Sequence, residues 1–393
     1  MLRKLLIVSS SLNPGGLEKC LIQFCNRIDS SRYEVDLYLF NDGRELLPAL
    51  NPHIRLLPES PFYSIVFNRP LFSSLAALLK RRQFALACYK LGRFLRTRFH
   101  RDLNTGHDWR YMKRTMLSLP ERYDTAIGFE EGTACYYVAE CVNAARKIGW
   151  IHTDLKMIST NAALDEAAFE KLDAVCTVSQ NSLRSLSELY PRFLEKYRCF
   201  KLPTMLDYPQ IDELAQAPCD MEGDGVRIVS VGRLVELKGF HLCIRPLKRL
   251  LDEGYRITWY IAGGGEQRET LEQMIRDAGV ERNFILLGNC ANPYAVINNA
   301  DICVQPSSYE GFSTAVWEEK YLRKPVIATA IPSNQEMITD GLNGLLIDRT
   351  EEDIYRAVKK LLDDPELRGK MGNAVANGYE QGKNLMPEIE KLF

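Results

Sequence analysis

Apolar and polar positions along the chain switch repeatedly between two periods. Residues 3–10 centre on the apolar run Leu5-Leu6-Ile7-Val8 and predict a buried strand. Asn13-Pro14-Gly15-Gly16-Leu17-Glu18 then makes a glycine turn into a helix with Leu21, Phe24, Cys25 and Ile28 along one side. Residues 33–40 alternate as a second strand, which completes one βαβ unit with an expected right-handed crossover. Strands are predicted again at 124–129, 147–152 and 174–178, with Ser179-Gln180-Asn181-Ser182 capping a helix. The second half restarts more cleanly, with strands at 226–232, 257–262, 284–287, 302–304, 326–329 and 345–347. Helices are expected at 240–252, 269–278 and 352–362, with Pro246 kinking the first of these or delaying its start.

Residues 206–225 contain Pro209, Pro218, Gly223, Gly225 and several acids with poor periodicity, and read as a linker. The expectation is therefore an α/β chain of two Rossmann-like domains facing a central cleft. Residues 1–205 form the N-terminal domain and 226–375 the C-terminal one. Residues 376–393 are a helical tail able to pack back on the N-terminal domain.

Residues 61–114 break the βαβ rhythm. Phe84, Cys88, Leu91, Leu95 and Phe99 recur at helical spacing, with Arg82, Lys90, Arg93, Arg96 and Arg101 on the other side. Between Lys80 and Arg114 eleven Lys/Arg face two Asp, a net charge of +9, in a chain whose total is −1. Such a basic amphipathic helix can lie in an anionic membrane surface or meet an acidic acceptor. It can equally pack on its own domain and leave the basic face in solvent. Nucleic acid is the weaker partner, because no nucleic-acid module accompanies the basic run.

Composition narrows the class. A 393-residue chain that is 46% hydrophobic and 26% charged is long enough for two domains and is not disordered. Its apolar runs are strand-length, well short of the roughly 18 residues of a membrane span. The first ten residues read as a buried strand rather than a signal peptide. The 11 cysteines are odd in number and never form Cys-x-x-Cys, which argues against a disulfide framework or zinc site and for a reducing cytoplasm. No dinucleotide fingerprint follows a strand and no P-loop is present, which disfavours nicotinamide and P-loop enzymes.

Candidate chemistry concentrates in residues 305–329. Glu310 sits at a glycine turn, and Glu318 lies eight residues on, about two helical turns away on nearly the same face. The amides of Gly311-Phe312-Ser313-Thr314 would open a helix and attract phosphate. The stretch could thus hold a sugar, a ribose and a diphosphate together. Arg233 and Lys238, in one loop just past a strand, supply a planar fork and a point charge suited to a diphosphate. Gly15-Gly16 either lets a ligand approach the backbone or simply makes a tight turn. His152 ends a strand where open α/β sheets bind ligands, a place that also suits a structural histidine.

In chain order, Gly15-Gly16-Leu17-Glu18, His152, Val231-Gly232-Arg233-Leu234 with Lys238-Gly239, Gly263-Gly264-Gly265, and Glu310-Gly311-Phe312 through Glu318 to Pro325-Val326-Ile327 resemble a family 4 glycosyltransferase of the GT-B fold. The resemblance implies retaining transfer of a sugar from a nucleotide diphosphate sugar, commonly a UDP-sugar, to an acceptor hydroxyl. It makes Arg233, Lys238, Glu310 and His152 the catalytic set, with the two cations neutralising the leaving diphosphate and Glu310 and His152 touching the sugar. Gly15, Gly16, Gly232, Gly263, Gly311, Phe312, Ser313 and Glu318 would line the donor site, Glu318 holding the ribose. No metal or other cofactor is expected. A lipid-linked or polysaccharide acceptor, and a cytoplasmic enzyme peripheral on the inner membrane face, complete the expectation. Departures are Leu202-Pro203-Thr204-Met205-Leu206-Asp207, where many relatives have Pro-Asn-Gly, Gly264, where an acid is common, and Pro246. An epimerase or a phosphorylase on the same fold, or a non-catalytic nucleotide-sugar-binding subunit, are the alternatives.

Overall fold

Thirteen parallel strands fall into two separate sheets among the residues described by the computed structural model, namely 2–13, 15–99, 105–158, 161–200, 206–219, 221, 223, 225–376 and 386–393. The side chains of 96–99 and 105–107 lie outside this description, as do Pro14, Arg101, residues 202–205 of the interdomain loop and residues 377–385 of the tail.

The first sheet holds β1 (Arg3–Ser9), β2 (Tyr33–Leu39), β3 (Ile54–Leu56), β4 (Arg122–Gly128), β5 (Asn143–Ile151), β6 (Ala174–Thr177) and β7 (Tyr197–Cys199), in the order β3-β2-β1-β4-β5-β6-β7. The second holds β8 (Val226–Val231), β9 (Ile257–Ala262), β10 (Phe284–Gly288), β11 (Ile302–Gln305), β12 (Val326–Thr329) and β13 (Leu345–Ile347), in the order β10-β9-β8-β11-β12-β13. Helices cover both faces of a doubly wound sheet, so its central strands are apolar at successive positions. Leu5, Leu6, Ile7 and Val8 are all buried, as is every residue of β9. In each sheet the chain winds outward from its first strand and then returns beside it. The reversals, between β1 and β4 and between β8 and β11, leave a crevice at the carboxyl ends of those strands.

The chain divides into two compact units, Met1–Met205 with Asn384–Phe393, and Leu206–Lys383. In the first unit the Phe393 ring stands edge-on to Phe24 and Tyr33 at 6.3 and 5.5 Å. The linker expected at 206–225 is corrected in part. Tyr208–Ala215 is a helix of the second unit, capped by Asp207, with Ile211 buried. The carbonyls of Leu214 and Ala215 accept from Asn292 and Asn298 at 2.7 and 3.0 Å. Pro209 falls in the first turn, where its missing N–H has no intrahelical partner to lose. Pro246 is accommodated in the same way. A 3₁₀ stretch, Phe240–Cys243, comes first, and the α-helix begins only at Ile244.

Residues 61–114 form an insertion between β3 and β4, with helices Tyr63–Phe67, Leu71–Lys80, Phe84–Phe99 and Thr105–Thr115. The orientation of the third corrects the reading of a solvated basic face. Its inward side is Leu86, Ala87 and Tyr89, clustered with Ile65, Val66 and Leu78. Lys90 also turns inward, donating to the carbonyls of Val66 and Arg69 at 2.7 and 2.8 Å, at the end of the Tyr63–Phe67 helix. Unpaired carbonyls at a helix end are natural acceptors for an ammonium. Arg93 binds Asp108 at 3.0 Å and lies over the Phe67 ring. Lys90 and Arg93 thus find acceptors within the unit, while Phe84, Leu91 and Leu95 are left outside. All 11 cysteines are free, and no described helix is long and apolar enough to cross a membrane.

Candidate functional site

In the second unit the site is built where β8 and β11 end. Leu234 is buried and anchors the loop after β8, its amide donating to the Gly264 carbonyl at 2.9 Å. The glycine turn after β9 lies so close that a Cβ on Gly263 would stand 1.9 Å from the Gly232 oxygen. The loop tightens into a 3₁₀ turn, Glu236–Lys238, closed by Gly239 in the left-handed region at φ 71°. A Cβ on Gly239 would meet the Pro306 oxygen at 2.4 Å. Ser308 donates its amide to the Leu237 carbonyl at 2.8 Å, and Arg349 ties the Glu236 and Pro306 carbonyls at 3.1 and 3.2 Å.

These bonds stitch the loop after β8 to the loop after β11, and they bring Lys238 Nζ onto Glu310 Oε1. The same oxygen accepts from Ser307 Oγ at 2.7 Å. The side chains are only 18% and 16% exposed, so the pair is shielded yet open to one side. An ammonium has three donors, and Glu310 occupies one, leaving capacity for a second anion. Arg233 occupies the same loop but is exposed and pairs with no acid among the described residues.

Glu310 and Glu318 do not share a helical face, which corrects the phase argument. The helix runs Thr314–Tyr321, so Glu310 precedes it by a full turn. Glu318 is buried and accepts from the Tyr294 hydroxyl at 3.0 Å. Burial and the Glu318 charge push the Tyr294 phenol up. The helix start is partly satisfied already, because the Thr314 amide bonds the Phe312 carbonyl at 2.9 Å. Phe312 and Ser313 are both buried, and Ser313 makes no side-chain cap.

Sequence reasoning passed over Glu319 and Lys320, which are fully buried. Glu319 Oε1 accepts from Gln305 at 2.6 Å, while Oε2 has no partner among the described residues. Burial pushes its carboxyl up to about 8, opposed by the Gln305 bond and reinforced by Glu318. Lys320 donates to the Met371 carbonyl at 2.6 Å, and burial pushes it down to about 8. Only the absence of any apolar stripe on this helix hinted that it is enclosed on every side.

In the first unit, Gly15 heads the helix Gly16–Asn26 in extended backbone, and a Cβ there would stand 2.2 Å from Glu18 Oε2. His152 follows β5, 8% exposed, its ring 4.8 Å from that of Phe129. Neither ring nitrogen has a partner among the described residues, and burial pushes the imidazole down to about 3. Its amide donates to Glu131 Oε2 at 2.9 Å. Glu130 accepts from Ser10 Oγ at 2.9 Å. Burial pushes it up to about 8, against the Ser10 bond and with help from Glu131 and Glu18. A neutral imidazole and a protonated carboxyl can each donate to and accept from a hydroxyl.

Residues 219–378 match the family model described as glycosyl transferases group 1. Over 153 residues the chain is 31% identical to alpha-D-kanosaminyltransferase of Streptomyces kanamyceticus, covering 38% of this chain and 39% of that protein. The chain spans less than half the length of this and several other curated relatives. Over 369 residues it is 24% identical to the N-acetylgalactosamine-N,N'-diacetylbacillosaminyl-diphospho-undecaprenol 4-alpha-N-acetylgalactosaminyltransferase of Campylobacter jejuni subsp. jejuni serotype O:2, covering 93% and 92% of the two. Among solved structures, HepE of Anabaena in complex with UDP and glucose superimposes with a TM-score of 0.69 at 18% identity, over 99% of this chain and 98% of that one. The two Rossmann-like units therefore constitute the GT-B architecture.

Proposed function

We propose that the chain transfers a sugar from a nucleoside diphosphate sugar, foremost a UDP-sugar, to a hydroxyl of a lipid-linked or polysaccharide acceptor with retention at the anomeric carbon. The observation that carries this reading is the shielded Lys238–Glu310 pair at the crevice between β8 and β11. A cation and a carboxylate held by two different strand-end loops can grip a diphosphate and a sugar hydroxyl of one donor. The match to glycosyl transferases group 1 over residues 219–378, the UDP and glucose bound by HepE, and the diphospho-undecaprenol named for the Campylobacter relative support it.

In this reading Lys238 and Arg233 meet the charge that develops on the departing diphosphate, the point at which fixed cations are most effective. Glu310 orients the donor sugar, and Glu318, freed from Tyr294, takes the ribose hydroxyls. Gly232, Gly263 and Gly311 let the nucleotide approach the backbone. In the first unit Gly15 and Gly16 let a ligand approach the backbone, and neutral His152 can hydrogen-bond a hydroxyl. The acceptor oxygen attacks the anomeric carbon on the face from which the diphosphate leaves. One C–O bond forms, the C–O bond to phosphate breaks, and the leaving phosphate oxygen takes the acceptor proton. The leaving charge is met by side chains, so no metal is required.

The test is a panel of UDP-, GDP- and ADP-sugars with lipid-linked and polysaccharide acceptors, scored for nucleotide release and for the anomeric configuration of the product. Transfer with retention is expected, and Arg233→Ala and Glu310→Ala should abolish most of it. An inverted product would remove the retaining assignment. Full activity in either folded variant would remove the roles given to those residues.

A further inference from the structure

The helix Phe84–Phe99 presents its apolar row to solvent. Phe84, Leu91 and Leu95 are 62%, 43% and 46% exposed, and Cys88 between them is exposed as well. The preceding helix, Leu71–Lys80, adds Phe72 at 84% and Leu79 at 50%. Exposed apolar rows on two neighbouring helices mark an interaction surface rather than scattered exposure. At its rim, in the turn joining the two helices, Lys80, Arg81 and Arg82 are three consecutive exposed cations. Neither helix contains an Asp or Glu.

We propose that this face docks on the surface of an anionic lipid bilayer. Phe72, Leu79, Phe84 and Leu91 would enter the boundary of the acyl chains, with Lys80 and Arg82 among the headgroup phosphates, while Arg81 donates to the Pro61 carbonyl at 3.2 Å. Large apolar side chains bordered by cations complement that surface both chemically and electrostatically. Charge also argues against a second copy as the occupant. With no acid on either helix, two such faces brought together would oppose cation to cation. The inward bonds of Lys90 and Arg93 matter here, because they hold the helix with this side outward. Those two cations are consumed within the unit and take no part in lipid contact. The inference stands apart from the sugar-transfer reading, since it concerns a surface outside the strand-end crevices and is measured without substrate.

The experiment uses the full chain and phosphatidylcholine vesicles with and without about 30% phosphatidylglycerol. Co-sedimentation should occur with the anionic vesicles and weaken as salt is raised. Two double variants, Phe84→Ser with Leu91→Ser and Lys80→Glu with Arg82→Glu, should each lower partitioning by about ten-fold or more. Their melting temperatures should stay near the wild-type value, because all four side chains are exposed. A polarity-sensitive fluorophore on Cys88 gives a local readout. It should shift to the blue on adding anionic vesicles, with a Cys88→Ser sample as the labelling control. Absence of vesicle binding, or binding untouched by both double variants, would overturn the proposal. So would a wild-type dimer that Phe84→Ser with Leu91→Ser dissociates, because a second copy would then be the occupant.

Discussion

Lys238 has one carboxylate already in hand, and this decides what its removal should do. Lys238→Ala leaves Glu310 partly buried with only Ser307 beside it and removes the cation aimed at the crevice. In the proposed reaction, kcat/KM should fall by about 10²–10³, measured as nucleotide release. His152 offers a second test. Its ordinary value of 6.5 is pushed down to about 3, so its ring signals should not titrate by NMR between about pH 5 and 8. The unfolded chain takes up that proton below 6.5 while the folded chain refuses it, so this group erodes stability as pH falls through the window between 6.5 and about 3. Glu319 acts in the opposite direction. Its folded value, raised from 4.5 to about 8, means that it stabilises fully below 4.5 and loses that contribution as pH rises through about 8. Glu319→Gln should remove this decline. Its melting temperature should gain on the wild type as pH is raised from about 6 to 8, and a constant difference would show that Glu319 is already ionised in the folded chain below that range.

Elements explain what the sequence could and could not convey. Strand runs such as Leu5-Leu6-Ile7-Val8 were legible because burial on both faces demands unbroken apolar residues. The glycines of the β8 and β9 loops were legible because their backbones approach one another too closely for any Cβ. Gly239 makes that concrete. Gly239→Ala, at φ 71° and against Pro306, should cost at least about 1 kcal/mol in stability and displace Lys238, lowering donor affinity along with melting temperature. Periodicity located the helix Phe84–Phe99 but not the side it turns inward. That choice depended on carbonyls of Val66 and Arg69 and on Asp108, acceptors that no repeat within the helix reveals. The burial of Glu319 and Lys320 was hidden for the same reason. Their partners, Gln305 and the Met371 carbonyl, lie 14 and 51 residues away.

At the scale of the whole molecule, two sheets each reverse their winding once, and each reversal gathers polar residues at strand ends. Lys238 and Glu310 mark it in one unit, Ser10 and Glu130 in the other. Spacing paired Lys238 with Arg233 and Glu310 with Glu318, and only the family resemblance set the four side by side. The pair of Ser10 and Glu130 went unnoticed because two adjacent glutamates before a helix are ordinary in any α/β protein. If Lys238 and Arg233 carry the diphosphate charge unaided, turnover should persist when EDTA is present. A loss of activity restored only by a divalent cation would require a metal in the site. The central claim, that the loops after β8 and β11 form a nucleoside diphosphate site, is tested most directly by calorimetric titration of UDP, GDP and ADP into the full chain and its Lys238→Ala variant. Saturable binding of UDP by the wild type, weakened at least about ten-fold in the variant, is the predicted result. Binding of none of the three nucleotides, or equal affinity in both proteins, would contradict it.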